Sequence, residues 1–593
     1  MRPPAVPATL AAAFLLGAGA GLVVDRTAPA PSAEVARGSE TAFSRGLYPR
    51  ELPPGRGPQR WTTDRAEVRF RHLPRGPARL EVELQGHRGP VAVAVDGVVV
   101  GVMEPGTTAA GFDLPAGARS RDVLLQANTF QAGDGRRLGA LLGRVTLRPA
   151  RQGSVGALAL FALPAAAVGL AAALAGLAAG PALLAALAAA LVQSFLLWPY
   201  GLVRSPYADA LAGAVALGAG LGLLFARRAG RRCAGAAPWA FTALLASWLV
   251  QGLCGTTPLM VVSDAVFHAN KLAAVSGGDL FPTSVTQHAR PFRIPYGVSF
   301  YALLVPFQRV GADPVTLVRV AGAVAGVAAS CALFLLLMGR NPRAAAVAVV
   351  ILQLLPATFD FGFSYGNVSN AFGQAMTVLF FAWWVAGGRA WPLGALLLVA
   401  AALSHFSSLV VLVALVAGLA VVRGRALLQD RPRLAALGVG LALAALYYAH
   451  YAPMVLQQVP RLLEGGGQGR GAAQGAWAAA WLQVVGAATQ WGPAAVLLAW
   501  LGRPRPSESP LDRDLSAFWV AGLLLAIPAV LSPLEVRYLY ALTLPLSAAA
   551  GMGWEWLHAR GGAAKALAWV LLAAQAVQGM AAVVEAVLSR YRS

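Results

Sequence analysis

The sequence predicts a polytopic α-helical membrane protein of about 12–15 spans carrying an extracytoplasmic β-sandwich near its start. Three observations lead there. Of 593 residues, 57% are hydrophobic and only 12% charged, which excludes an ordinary soluble enzyme, a disordered chain and a nucleic-acid-binding protein of the usual kind. Apolar runs fill the chain from residue 154 onward. Before them lies a stretch with strand periodicity instead. The 47 basic residues exceed the 26 acidic ones, a net charge of +21. Nearly all are Arg and they sit between apolar runs, so the surplus reads first as membrane topology and not as a polyanion site. Cys233, Cys254 and Cys331 form no metal spacing and no disulfide framework.

Residues 1–25 hold one apolar run behind Arg2, read as an N-terminal transmembrane helix or signal anchor. A cleaved signal peptide is the competing reading, and both put the next segment outside the cytoplasm. Residues 26–152 form the β-sandwich, jelly-roll-like, from short strands. In Arg79-Leu-Glu-Val-Glu-Leu84 the apolar residues alternate with charged ones, the period of a half-buried strand. Val91-Ala-Val-Ala-Val-Asp-Gly-Val-Val-Val100 reads as a hairpin whose Asp96-Gly97 supplies a type I′ turn. Further strands are expected at 66–71, 122–127 and 141–147. Residues 153–258 are additional transmembrane helices. Residues 259–593 complete the membrane region, with an outer loop at 259–296.

Clusters of basic residues orient the spans. Arg227, Arg228, Arg231 and Arg232 form one; Arg423, Arg425, Arg431 and Arg433 another; Arg503, Arg505 and Arg513 a third; Arg560 and Lys565 a fourth. Placed in the cytoplasm, they put 258–295, 359–370, 451–473 and 532–538 on the opposite side. The segment 296–310 is short for a span and contains Pro306. A re-entrant or partly inserted helix there keeps every Arg cluster on one side.

The outer side is where chemistry is expected. Asp264 and His268 stand at i and i+4 and so share a helix face. A carboxylate at the end of an apolar helix is expensive without a task or partner, and Asp264 suits a general base. The plain alternative is helix capping by Ser263 or Asp264. A metal held by Asp264 and His268 lacks enough ligands. The loop polar residues include Arg290, followed by Tyr296. The segment Phe359-Asp-Phe-Gly-Phe-Ser-Tyr-Gly-Asn-Val-Ser-Asn370 combines rings with the amide of Asn367, a mixture that suits sugars or simply the membrane interface. His405 reads foremost as a hydrogen-bonded residue at a helix break. Glu535 and Arg537, followed by Tyr538, are either an internal ion pair or a phosphate-facing fork.

Asp264-Ala-Val-Phe-His268, Ser276-Gly-Gly-Asp-Leu-Phe-Pro282 and Pro295-Tyr296-Gly-Val-Ser-Phe-Tyr301 together resemble the first outer loop of GT-C superfamily glycosyltransferases. The segments 367–374, Ala402-Leu-Ser-His405 and Arg537-Tyr538 resemble further features of those enzymes, so the similarity covers roughly 240–550. The resemblance implies an integral-membrane transferase that takes a sugar from a polyprenyl-phosphate lipid at its outer face. It implies that Asp264 is the general base and that Arg537 faces the lipid phosphate. Two departures stand against it. Four apolar helices and a sandwich precede the Asp264 loop, and the outer segments hold no Asp-X-Asp pair, unlike the metal-dependent oligosaccharyltransferase branch. Phe130-Gln-Ala-Gly-Asp-Gly-Arg-Arg-Leu-Gly139 resembles β-sandwich modules of bacterial surface-glycan proteins.

The expectation is therefore a glycosyltransferase of the bacterial inner membrane with its site on the extracytoplasmic side. Asp264 acts as base, and His268, Arg290, Tyr296, Asn367, His405, Glu535, Arg537 and Tyr538 bind substrate. Its partners are a polyprenyl-phosphate sugar, an extracytoplasmic glycan, lipid or protein acceptor and membrane lipids, with no nucleic acid. No cofactor is expected, and nothing in the sequence supports a divalent cation. The alternative is a non-catalytic component of polysaccharide assembly or export that binds glycan through the sandwich. A secondary transporter fits least, since the polar residues gather at one face.

Overall fold

The computed structural model describes residues 5–36, 39–48, 51, 59–133, 135–151, 153–260, 264–285, 293–359, 367–465, 489–504, 509–531 and 542–588. Among them are nine helices long and apolar enough to cross a membrane, together with small antiparallel sheets. The architecture is that of a polytopic helical membrane protein. Pro342–Leu354 and Trp391–Ala402 are apolar but shorter, at roughly 20 and 18 Å against a hydrocarbon core of about 30 Å. Counting apolar runs from the sequence therefore gives more spans than helix length supports among the described residues. The chain divides into two compact units, 1–227 with 257–261 and 587–593, and 228–256 with 262–586.

The described residues of the first unit hold two larger sheets and a two-stranded ribbon, Phe130–Gln131 with Arg137–Leu138. A four-stranded sheet runs in the order Ser32–Glu34, Leu141–Pro149, Ala78–Gly86, Ala109–Leu114, and a five-stranded sheet in the order Ser44–Leu47, Thr62–Phe70, Arg121–Ala127, Val91–Val95, Val98–Met103. The alternation around residue 80 has the expected consequence. Leu80, Val82 and Leu84 are buried, while Glu81 and Glu83 turn outward to ion pairs with Arg148 and Arg144 of the neighbouring strand. Asp96 and Gly97 take φ of 52° and 85°, as a type I′ hairpin requires. The strand Ala109–Leu114 was not expected. Its sequence Ala-Ala-Gly-Phe-Asp-Leu lacks a clear period of two, and pairing with Ala78–Gly86 decides its conformation.

Also in this unit, the helix Ala5–Thr27 lies along Val155–Leu174. A side chain begun at Gly17 would come 2.4 Å from the Phe161 carbonyl oxygen, and one at Gly21 3.1 Å from that of Ala157. These glycines, four apart, let two backbones approach closely. At the end of the first helix Asp25 is 1% exposed and Arg204 4%. The Asp25 carboxylate accepts from the Ser154 backbone N–H at 2.6 Å and from the Arg204 guanidinium at 3.1 Å, joining three distant segments.

In the second unit, ion pairs gather the helix ends that carry arginine. Arg423 donates to both oxygens of Asp514, at 2.7 and 2.5 Å. Arg340 pairs with Asp512, and Arg343 reaches Glu555 at 2.7 Å. Arg433 donates to the Trp384 carbonyl. The ends near 340, 384, 423, 433, 512 and 555 thus share one side of the unit. The helix Ser299–Arg309 is about 16 Å long, too short to cross. The next helix, Pro314–Leu337, is long and apolar enough to cross and leads to Arg340. Inside the unit, Gln251 sits on the wide helical turn Trp248–Cys254 and donates to Gln353 at 2.8 Å, which donates to Ser330 at 2.9 Å. Such side-chain bonds hold apolar helices in register.

Candidate functional site

The polar cluster of the second unit lies at the helix ends opposite the arginines. It begins at Asp264, which occupies the position before the helix Ala265–Ser276. Its backbone carbonyl accepts from the His268 N–H at 2.9 Å, while its carboxylate makes no capping hydrogen bond. Capping, the plain alternative for this residue, is therefore not what its side chain performs. Its charge is felt at the Tyr301 hydroxyl, whose polar neighbours include Tyr296 and Ser369.

One turn on, His268 points into the core, 1% exposed. Its Nδ1 shares a 2.7 Å hydrogen bond with the Tyr301 hydroxyl, and the rings of Phe267, Tyr296 and Phe300 surround it. At that depth His268 supports the cluster through Tyr301. Tyr296 is also buried, its hydroxyl 3.3 Å from Ser369 Oγ and its ring edge-on to His405. His405 precedes the helix Phe406–Arg423 and its Nδ1 accepts from the Ser407 N–H at 3.1 Å, the helix-break role that its sequence context favours. Asn367 is half-buried at the start of Val368–Val385. One turn further in, Asn370 is fully buried and accepts from Ser408 Oγ at 2.8 Å.

The described residues between the helices Ala265–Ser276 and Ser299–Arg309 are fastened over this cluster. Thr283–Val285 and Arg293–Pro295 pair as a short antiparallel ribbon. Tyr447 donates to the Tyr296 carbonyl and Tyr451 to that of Pro282, each at 2.9 Å. Phe281 stacks on His450 with centroids 3.9 Å apart, and Gln458 bonds both the N–H and the carbonyl of Arg293, at 2.7 and 3.0 Å. Burial raises the Tyr451 phenol above its ordinary value, a hydrogen bond with Tyr447 pulls the other way and Asp279 adds to the rise. Tyr451 is therefore a permanent hydrogen-bond donor at neutral pH.

The structure thus brings together Asp264, His268, Tyr296 and His405, with Asn367 on an adjoining helix start. Arg290, Glu535, Arg537 and Tyr538 lie outside the described residues, as does Ser263. Tyr301, Ser369, Asn370 and the Tyr447–Tyr451 pair are site residues that the sequence alone did not single out. Tyr447 and Tyr451, at i and i+4 where an apolar run ends, were the available signal. Among the described residues no group of three or more His, Cys, Asp or Glu could hold a metal ion. Asp512-Arg-Asp514 is an Asp-X-Asp pair, but its carboxylates serve Arg340 and Arg423 at the arginine side. In comparisons with known proteins, no family model matches the chain, and no curated protein matches it either.

Proposed function

We propose that this protein is a membrane glycosyltransferase of the GT-C kind. It moves a sugar from a polyprenyl-phosphate donor to an acceptor outside the cytoplasm, with Asp264 as general base. Asp264 takes the proton from an acceptor hydroxyl as that oxygen bonds to the anomeric carbon. The bond from that carbon to the phosphate oxygen breaks, and the leaving polyprenyl phosphate keeps the electron pair. Arg537 meets the developing phosphate charge. The observation that supports this reading is the cluster of Asp264, His268, Tyr301 and Tyr296 at the helix ends opposite the arginines, with Asp264 one turn before His268 and the His268 ring bonded to the Tyr301 hydroxyl. Positive-inside orientation makes that face extracytoplasmic, in the inner membrane of a bacterium. The two larger sheets of the first unit form, on this reading, an extracytoplasmic β-sandwich.

Membranes bearing Asp264→Asn are expected to lose transfer from a labelled polyprenyl-phosphate sugar by about 100-fold or more, with protein level and insertion unchanged. Undiminished transfer in that variant, together with loss on deleting 26–152, would favour the non-catalytic glycan-binding alternative.

A further inference from the structure

We propose that a groove of the first unit, between the helices Ala5–Thr27 and Ala179–Leu197, binds one anionic glycerophospholipid. Its chains lie along the helices and its phosphate sits at Arg144 and Arg148. The groove encloses about 1490 Å³, well above the roughly 300–1,000 Å³ of a small-molecule pocket. Its walls include Leu15, Leu16, Leu183, Leu187, Leu191 and Phe195, apolar side chains that suit acyl chains.

The groove changes character along its length. On the first helix it runs from Ala12 to Thr27, a rise of about 22 Å. That is half of a bilayer about 40–45 Å thick with its headgroups, so the groove matches one lipid in one leaflet. Near the polar end Trp198, half exposed, donates from its indole N–H to Thr27 Oγ1 at 3.2 Å. An aromatic ring with one polar atom suits the headgroup boundary. Beyond it the lining turns to Arg144, Arg148 and Glu34.

Of the charged residues that line this end two are cations and one is an acid, and the spare donors of the two guanidiniums favour an anionic phosphate headgroup. Both arginines have partners on the neighbouring strand, Glu83 for Arg144 and Glu81 for Arg148. Their side chains nevertheless remain 38% and 56% exposed, and pairs so exposed hold little energy. A guanidinium also has five donors, enough to keep a carboxylate and take a phosphate oxygen.

The test uses the full chain purified in detergent, incubated with phosphatidylglycerol or phosphatidylcholine, and weighed intact by native mass spectrometry. Phosphatidylglycerol is expected to stay bound in preference. The exposed double change Arg144→Gln with Arg148→Gln should erase that preference, about tenfold for the loss of one charge-assisted hydrogen bond. Gly19 lines the groove and has open space where a side chain would begin, so Gly19→Trp should fill the groove and abolish retention of either lipid. Equal retention of the two lipids would overturn the proposal. So would a preference that survives the double arginine change, or retention of a single-chain polyprenyl phosphate in place of phosphatidylglycerol.

Discussion

His405 and Asp264 both stand immediately before a helix, and they use their side chains differently. The His405 imidazole accepts from a backbone N–H two residues on, whereas the Asp264 carboxylate leaves that role unfilled. Substitution separates the two roles. His405→Asn keeps a good capping acceptor and is expected to melt like the unaltered protein. His405→Ala should lose about 1 kcal/mol, read as a lower midpoint in a thermal melt of the purified protein. A loss of transfer in His405→Asn without a loss of stability would instead make His405 a substrate ligand. The buried pair of Asp25 and Arg204 gives a larger effect. Burial lowers the Arg204 pKa from its ordinary value while Asp25 pulls it upward, so the carboxylate offsets part of the cost of burying the guanidinium. Removing one member of such a pair leaves the other buried without its counter-charge, and Asp25→Ala is expected to cost about 3–5 kcal/mol. Replacing both residues by Leu should recover most of it in the same melt. An unaltered melting point in Asp25→Ala would show that the pair adds nothing to stability.

At the scale of elements, the first helix is fixed by what its glycines lack. Gly17 meets the backbone of Val155–Leu174 closely enough that any side chain collides with it, and Gly21 leaves only a tight fit. Gly17→Leu should therefore push the two helices apart at a cost of about 1–3 kcal/mol, measured by chemical denaturation in detergent. Gly19→Leu, on the open side of the same helix, serves as the neutral control. The strands most visible in the sequence were those whose alternation is sharp, such as Ala78–Gly86, and the hairpin was marked by Asp96-Gly97. The strand Ala109–Leu114 was hidden because its small residues carry no period. It forms because an edge is offered to it. That the helix Ser299–Arg309 is too short to cross was legible from the length of its apolar run. The depth of His268 was not, because i, i+4 spacing fixes which face a residue shares and not whether that face meets solvent.

At the scale of the whole molecule, several arginines among the described residues of the second unit stand at helix ends. Arg340, Arg343 and Arg423 each meet a carboxylate there, so the positive charge is partly neutralised in place. The pairing partners lie up to 212 residues away in sequence, which is why no local pattern revealed them. The same long range hid most of the candidate site. Asp264 and Tyr296 could be named from their motif. Ser369, Ser408 and Tyr451 enter the cluster only because five chain segments fold to one end of the helices. The central claim is that this end performs sugar transfer with Asp264 as its base. The most direct measurement places the purified protein in liposomes with a polyprenyl-phosphate sugar and a hydroxyl acceptor and follows release of polyprenyl phosphate. Release by the unaltered protein and none above background from Asp264→Asn is the expected result; equal release from both would contradict the assignment.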